Sequence, residues 1–580
     1  MNQRSPLPAT IRARVHTGAI DRVTRFYANS LPDTFAELLQ NCRRSGATRV
    51  NVTTEEVPNQ GLRVTVADNG EGIADPAVLL SFGESGWDDS TARREDPAGM
   101  GIYALSRRGC TVASRTADPD TPGWTADLTP ECFLGKDEAA VSEYDAQLAH
   151  GTAISFLADQ SAATVLGALR EAARHYPLPV ACDGERLDQT PFLEGALHTE
   201  TWNGLTFGVF KDRYTGFKDN DLNFHGLAIH AGLPSVSAVA GGTWCTIADV
   251  DACPGLELVL PARREPVRTP FLDDLLKAAR IAIYRAMSLA ERPPALAFAD
   301  YAAAREAGID IPAAPAMLRP WRPDIADSDD WRDSPPFASP DSHSLVMSAE
   351  LDIQDSQALW RALERTAGAS RLLEPDTRLK GYDWYDALAT VDSVRFYVAA
   401  GGVTHSLDAL RAGTETPARA ATKALPPAML SRPDTITVRL ATGRNGKPGP
   451  AMTIPTDVAF LAEDYWCDLD ATGPLVTADS AIQPHELAAL LRYAFFSPSD
   501  DPDADSYDTQ KTRFDDDAMH LALSLLASEE DARKHTIAEA VRREVLWALP
   551  LDRDVTITLT GGRIGIEFGP EYRQAQGAPA

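Results

Sequence analysis

The chain has 580 residues, 44% hydrophobic and 24% charged, the balance of a folded protein with room for about three to five domains. Its 55 Lys and Arg stand against 83 Asp and Glu, a net charge of −28 that argues against DNA as the main ligand, since such binders draw non-specific affinity from phosphate neutralisation. No apolar run reaches the roughly 20 residues of a membrane helix, and the first residues, MNQRSPLPATIRARV, lack the apolar stretch of a secretory signal, so a soluble chain is expected. Seven widely spaced cysteines without a C-x-x-C pair fit free thiols in a reducing cytoplasm better than a zinc site or a disulfide framework.

The first predicted element is a helix that starts at Ser30-Leu-Pro-Asp33, a capping hydroxyl with an acid three positions on. Phe35, Leu38, Leu39 and Cys42 then recur at i, i+3, i+4 and i+7 and form one apolar face. Glu37 and Asn41 fall on the other side, one turn apart; alone, such a pair reads as a solvated polar face. Strands follow at Thr48–Thr53 and Leu62–Ala67, the second alternating Leu62, Val64 and Val66 with Arg63 and Thr65. That strand runs into Asp68-Asn-Gly-Glu-Gly72-Ile73, which sets a carboxylate at a strand end beside glycine backbone that a ligand can approach closely. Next comes Gly99-Met-Gly101-Ile102-Tyr-Ala-Leu, expected to open a short helix ending at Gly109, with exposed amides that suit phosphate. His150-Gly151-Thr152 starts a further strand, Thr152–Leu157.

Four such signals in this order resemble one family. Glu37-Leu-Leu-Gln-Asn41-Cys-Arg-Arg-Ser-Gly-Ala-Thr48 is similar to the N box of MutL, Asp68–Ile73 to a first glycine box, Gly99–Tyr103 to the second glycine box of HtpG-type chaperones, and Gly151-Thr152 to a closing threonine. Together they resemble the GHKL superfamily of ATPases (gyrase B, HtpG-type chaperones, histidine kinases and MutL). The resemblance implies an α/β (α+β) chain whose residues 1–160 form a Bergerat fold, a two-layer α/β sandwich holding ATP and Mg²⁺ under a mobile lid, Phe82–Ala98. It implies that Asp68 accepts from the adenine amine, with Gly72 giving the ring access to backbone and Thr152 steadying a bridging water. Gly70, Ile73, Gly99, Met100, Gly101 and Ile102 would complete the ATP pocket, and Asn41 would give Mg²⁺ its side-chain oxygen. Glu37 would orient or deprotonate the attacking water of an ATPase. One position departs from the pattern: Arg44 stands three after Asn41, where MutL-like relatives usually carry an acid.

Residues 161–295 are expected to form a transducer or middle-like α/β domain. It would run from a helix at Ala163–His175 through strands near 178–182, 205–209, 227–230 and 246–250 to a helix at Phe271–Met287. Within it, Leu256–Glu265 is similar to the arginine segment of HtpG-type middle domains. That makes Arg264 a candidate second catalytic group for the γ-phosphate; a surface basic pair, Arg263-Arg264, is the plainer alternative. Residues 296–344 read as a Pro/Asp/Ser-rich linker, and 345–580 as a C-terminal α+β region of no recognised family. In the latter, Ser497–Asp517 carries eight aspartates and reads as a solvated loop, Tyr382-Asp-Trp384-Tyr385 and Tyr465-Trp466 as core or partner surface, and VTITLTGGRIGIEF as a hairpin turning at Gly561-Gly562.

The expected function is a cytoplasmic, chaperone-like conformational ATPase that closes its lid on ATP, acts on a protein partner and forms a nucleotide-dependent homodimer. One alternative is a nucleotide-sensing interaction protein with little turnover, which Arg44 keeps open. Another is a MutL- or topoisomerase-like DNA-transaction ATPase, against which the charge of −28 stands. A histidine kinase needs a phosphoacceptor histidine on a helical hairpin ahead of the ATP domain, and only His16 precedes the N box.

Overall fold

A computed structural model of the chain describes residues 30–81, 101–118, 120–143, 150–213, 220–259, 265–327, 333–366, 370–412, 432–444, 446–461, 469, 473–527, 529–550 and 552–571. Helix and mixed sheet alternate through them, in two units, Met1–Ala314 and Pro315–Ala580. No helix among the described residues is long and apolar enough to cross a membrane.

Unit 1 begins with α1 (Leu31–Arg44). The Ser30 hydroxyl accepts from the Asp33 amide at 3.2 Å, Asp33 lies in the first turn and Arg43 and Arg44 in the last, so cap and charges both favour the helix dipole. The predicted face is buried: Phe35, Leu38, Leu39 and Cys42 pack on an eight-stranded sheet, with the Phe35 and Phe156 rings 6.2 Å apart. The strands are β1 (Val50–Val57), β2 (Gly61–Asp68), β3 (Cys110–Arg115), β4 (Trp124–Leu128), β5 (Val141–Glu143), β6 (Gly151–Ala158), β7 (Val180–Cys182) and β8 (Glu185–Arg186), in spatial order β5-β4-β3-β6-β2-β1-β7-β8. In β2 the alternation settles the inward face: Leu62, Val64 and Val66 are buried, and Val66 lies between Val52 of β1 and Ile154 of β6.

The core of this sheet runs past residue 160. Helix α2 (Ala162–Ala173), read from sequence as the start of a second domain, buries Val165, Leu169 and Ala173 in the same cluster, which extends to Leu187. Its physical reason is topological. β7 lies parallel to β1, and a parallel neighbour needs a helical crossover to bring the chain round.

A second sheet in unit 1 comprises β9 (His198–Trp202), β10 (Leu205–Lys211), β11 (Leu222–Phe224), β12 (Leu227–Ile229), β13 (Ser235–Ser237) and β14 (Thr243–Val250), with α3 (Pro270–Leu289) laid on it through Leu275, Ala279, Ala282 and Ile283. The Tyr284 hydroxyl donates to Asp300 Oδ1 at 2.6 Å and ties α3 to α4 (Phe298–Glu306). Here the linker expected from residue 296 is corrected: Leu296, Ala304, Ile309 and Ile311 are buried in this core. Proline content signals irregular backbone, not absence of packing.

In unit 2, residues 318 and 320 bridge to Ala338 and Leu373, so the Pro-rich stretch is laid on its sheet. That sheet contains β15 (Leu345–Met347), β16 (Leu372–Leu373), β17 (Ala389–Ala400), β18 (Val403–Ser406), β19 (Thr435–Arg444), β20 (Lys447–Pro448) and β21 (Met452–Thr456), packed with α5 (Ile353–Arg365) and α6 (Pro484–Phe495). The aspartate run is not a loop throughout. From Tyr507 it is helix α7 (Tyr507–Leu526), capped by Ser506 and anchored by Phe514, Ala518 and Ala522, apolar residues at helical spacing among the acids. Tyr382 is buried and Trp384 and Tyr385 half-buried, whereas Tyr465 and Trp466 lie outside the described residues. The terminal hairpin turns at Gly561-Gly562, both at positive φ.

Unit 2 also holds a buried ion pair. Arg411 reaches both carboxylate oxygens of Asp355, at 2.8 and 3.2 Å, and donates to Phe460 O at 2.8 Å. Burial nonetheless pushes the Asp355 carboxyl up to about 6, because desolvation outweighs the guanidinium. Arg411→Met should cost about 3–5 kcal/mol at pH 8, the usual cost of stranding a buried charge. The loss should shrink below pH 6: a raised folded pKa means the proton is held more tightly in the fold, so the stranded carboxyl is neutralised there. Chemical denaturation at the two pH values checks this.

Candidate functional site

Helix α1 sets out three groups on successive turns, Glu37, Asn41 and the capping residue Ser45. Glu37 and Asn41 are half-buried on the side away from Phe35. Gly101 lies against both. A Cβ there would fall 2.8 Å from Asn41 Nδ2 and 3.3 Å from Glu37 Oε2, so only a glycine leaves the space over these two side chains open. The short helix expected here is of the 3-10 type, Gly101–Leu105, and stops four residues before Gly109. It is fixed from behind: Ile102, Tyr103 and Leu105 are buried, the Tyr103 hydroxyl donates to Leu80 O at 3.0 Å, and its ring meets Phe133 edge-on.

At the C-terminal end of α1 the Ser45 hydroxyl lies 2.7 Å from Cys42 O and 3.3 Å from Asp68 Oδ1, sharing its one proton between them. The Gly70 amide donates to Asp68 Oδ1 at 2.7 Å. Burial raises the Asp68 pKa above the ordinary carboxylate range; hydrogen bonds from the Gly70 amide, Ser45, the Thr152 amide and Cys42 partly offset it. Gly72 has φ +75°, and a Cβ there would meet Arg115 O at 2.2 Å, so glycine alone lets this backbone lie against the end of β3.

A chain of hydrogen bonds then links Asp68 to Ile73. The Ser114 hydroxyl donates to Gly151 O at 3.1 Å and accepts from the Ile73 amide at 2.8 Å. It also lies 2.9 Å from Thr152 Oγ1, a pair in which either hydroxyl can be the donor. The carbonyl of Ile73 accepts from the Trp124 indole at 2.7 Å.

The structure thus brings Glu37, Asn41 and Gly101 together along the second half of α1, and Asp68, Gly70, Gly72, Ile73 and Thr152 around its C-terminal end. Ile102 faces the core beside Gly101. Gly99, Met100, the lid segment Phe82–Ala98 and Arg264 lie outside the described residues. Sequence reasoning missed Ser45, Ser114 and Trp124. Ser114 carried a usable signal, a hydroxyl at an inward position of a strand, two residues from buried Val112. It also missed what Asn69 does: its carbonyl oxygen accepts from the Thr48 and Arg49 amides at 2.9 and 3.2 Å and pins the start of β1. Arg44 is buried, donating to Asn41 Oδ1 at 3.3 Å and Gln40 Oε1 at 2.8 Å.

No protein-family model matches the chain, and no curated protein matches it.

Proposed function

We propose that unit 1 is a GHKL-type ATPase domain that binds ATP with Mg²⁺ and hydrolyses it. The observation that carries this reading is the order of groups along α1. A half-buried acceptor, Asp68, is tied to the C-terminal end through Ser45, Asn41 stands one turn before it, and Glu37 lies one turn further back under Gly101. From Glu37 to Ser45 the helix rises about 12 Å at 1.5 Å per residue, so the groups are strung out along a line.

Along that line each group has a role. Asp68 accepts from the exocyclic amine of adenine, and the Thr152 hydroxyl holds a water against the ring. Mg²⁺ fits the oxygen donors present: the Asn41 carboxamide oxygen holds a bond of 3.3 Å from Arg44, long for a charged donor, and the cradle beside it is one that a Cβ would fill. Bound there, the ion would neutralise charge on the phosphates. Glu37 then orients a water toward the terminal phosphate and accepts its proton. Arg264 is the proposed cationic partner of that phosphate; the protein partner, homodimer and lid closure rest on analogy with the family.

Arg44 favours a second reading. Its guanidinium already uses the Asn41 oxygen, and a protein that binds nucleotide without discharging it would suit that competition. Phosphate release by the full chain with Mg²⁺ decides between them: turnover above background supports the ATPase, whereas nucleotide binding with turnover at background selects the sensor.

A further inference from the structure

Besides Thr34, two long polar side chains on α1 are buried where apolar ones would cost less, Gln40 at 4% exposure and Arg44 at 8%. They form a connected path. Arg44 uses one guanidinium nitrogen on Asn41 Oδ1 and the other on Gln40 Oε1. Gln40 Nε2 in turn donates to Phe224 O at 3.2 Å, in a buried bond to the second sheet of unit 1. Phe224 ends β11, and in the β11–β12 turn His225 and Gly226 both take positive φ and the Gly226 amide donates to Asn223 Oδ1 at 2.9 Å. Asn223 is held at its other end too, donating to Asp249 Oδ1 at 2.7 Å and to His175 O at 3.1 Å. Asn223, His225, Asp249 and His175 line a cleft of about 480 Å³ together with Arg43.

We propose that Arg44 and Gln40 are positioning residues that couple the Asn41 site to the β11–β12 turn, so that a metal–nucleotide complex on Asn41 is sensed by the second sheet. The inference rests on the ATP reading above. A guanidinium is planar, and its two nitrogens cannot be re-aimed independently. When a cation takes the Asn41 oxygen, Arg44 swings away from it and its bond to Gln40 moves in the same rotation. The Gln40 amide plane then shifts against Phe224 O. Linkage makes the coupling reciprocal: what holds the turn also biases the affinity at Asn41.

Hydrogen exchange on the full chain, with and without adenylyl imidodiphosphate and Mg²⁺, tests this. In the wild type, exchange should slow at 69–73 and 101–105, and also at 222–229, there by about 5-fold or more, the lower end of typical coupling. Chelating the metal should remove the response at 222–229 while that at 69–73 persists. Gln40→Glu keeps an acceptor for Arg44 and loses the donor to Phe224 O, so it should keep the response at 69–73 and lose the one at 222–229. If Gln40→Glu does not fold, Gln40→Met removes both bonds at nearly constant volume and must give the same split. A wild type that protects 69–73 but not 222–229, a metal-independent response at 222–229, or an unaltered response in the Gln40 variants overturns the coupling and leaves the ATP reading standing. No protection at any of these segments overturns the ATP reading, and the coupling with it.

Discussion

Glu37→Ala will bind ATP with Mg²⁺ at close to wild-type affinity and turn it over at least about 100-fold more slowly, the usual loss when a general base is removed. The position makes the two effects separable. Glu37 is half-buried on the face of α1 opposite the core residues Phe35 and Leu38, and alanine is the best helix former, so the helix and its capping are retained. Its carboxylate lies with Asn41 beneath Gly101, two helical turns before the Ser45 that holds Asp68, so base recognition is left intact. Phosphate release under saturating nucleotide reads the rate, and equilibrium titration reads the affinity. Equal rates in variant and wild type would remove Glu37 from the chemistry; loss of binding would make it a ligand-contacting group instead.

Asp68→Asn should lose binding by about 10- to 100-fold, because it leaves a donor facing the adenine amine in a buried site, at about 1–3 kcal/mol. The carboxylate now takes donors from the Gly70 amide, the Thr152 amide and Ser45, an arrangement that an amide satisfies only through its one oxygen. Stability should not follow affinity. Burial raises the Asp68 pKa, so the ionised group costs the ligand-free fold stability that returns as pH falls through that pKa. Removing the charge should thus leave the ligand-free melting temperature unchanged or higher while affinity drops. Wild-type affinity should also weaken as pH is lowered through the raised pKa, with that step absent in Asp68→Asn. Parallel losses of stability and binding would mean that Asp68 is a structural residue.

The parts of the molecule that local chemistry dictates were readable from the chain. The Ser30 cap, the face of Phe35, Leu38, Leu39 and Cys42, the alternation of β2 and the Gly561-Gly562 turn each follow from spacing or from a backbone need, and each is found. What depends on distant partners was not. That α2 and β7 complete the first sheet is set by the parallel pairing of Val50–Val52 with Val180–Cys182, which no window of sequence contains. Asp-rich α7 was hidden because its four acids match in number the four residues that are buried, Phe514, Ala518, Ala522 and Leu523. In the candidate site, Glu37, Asn41, Asp68 and the glycines were visible as residue types in order, whereas Ser114 and the Gln40–Arg44 path gain meaning only from neighbours brought across the fold.

The most direct test of the central claim is a calorimetric titration of the full chain with adenylyl imidodiphosphate in the presence and absence of Mg²⁺. The account predicts saturable binding at one site per chain, tightened by the metal and weakened in Asp68→Asn. No binding up to about 1 mM, the upper end of the usual range for enzyme substrates, would contradict it.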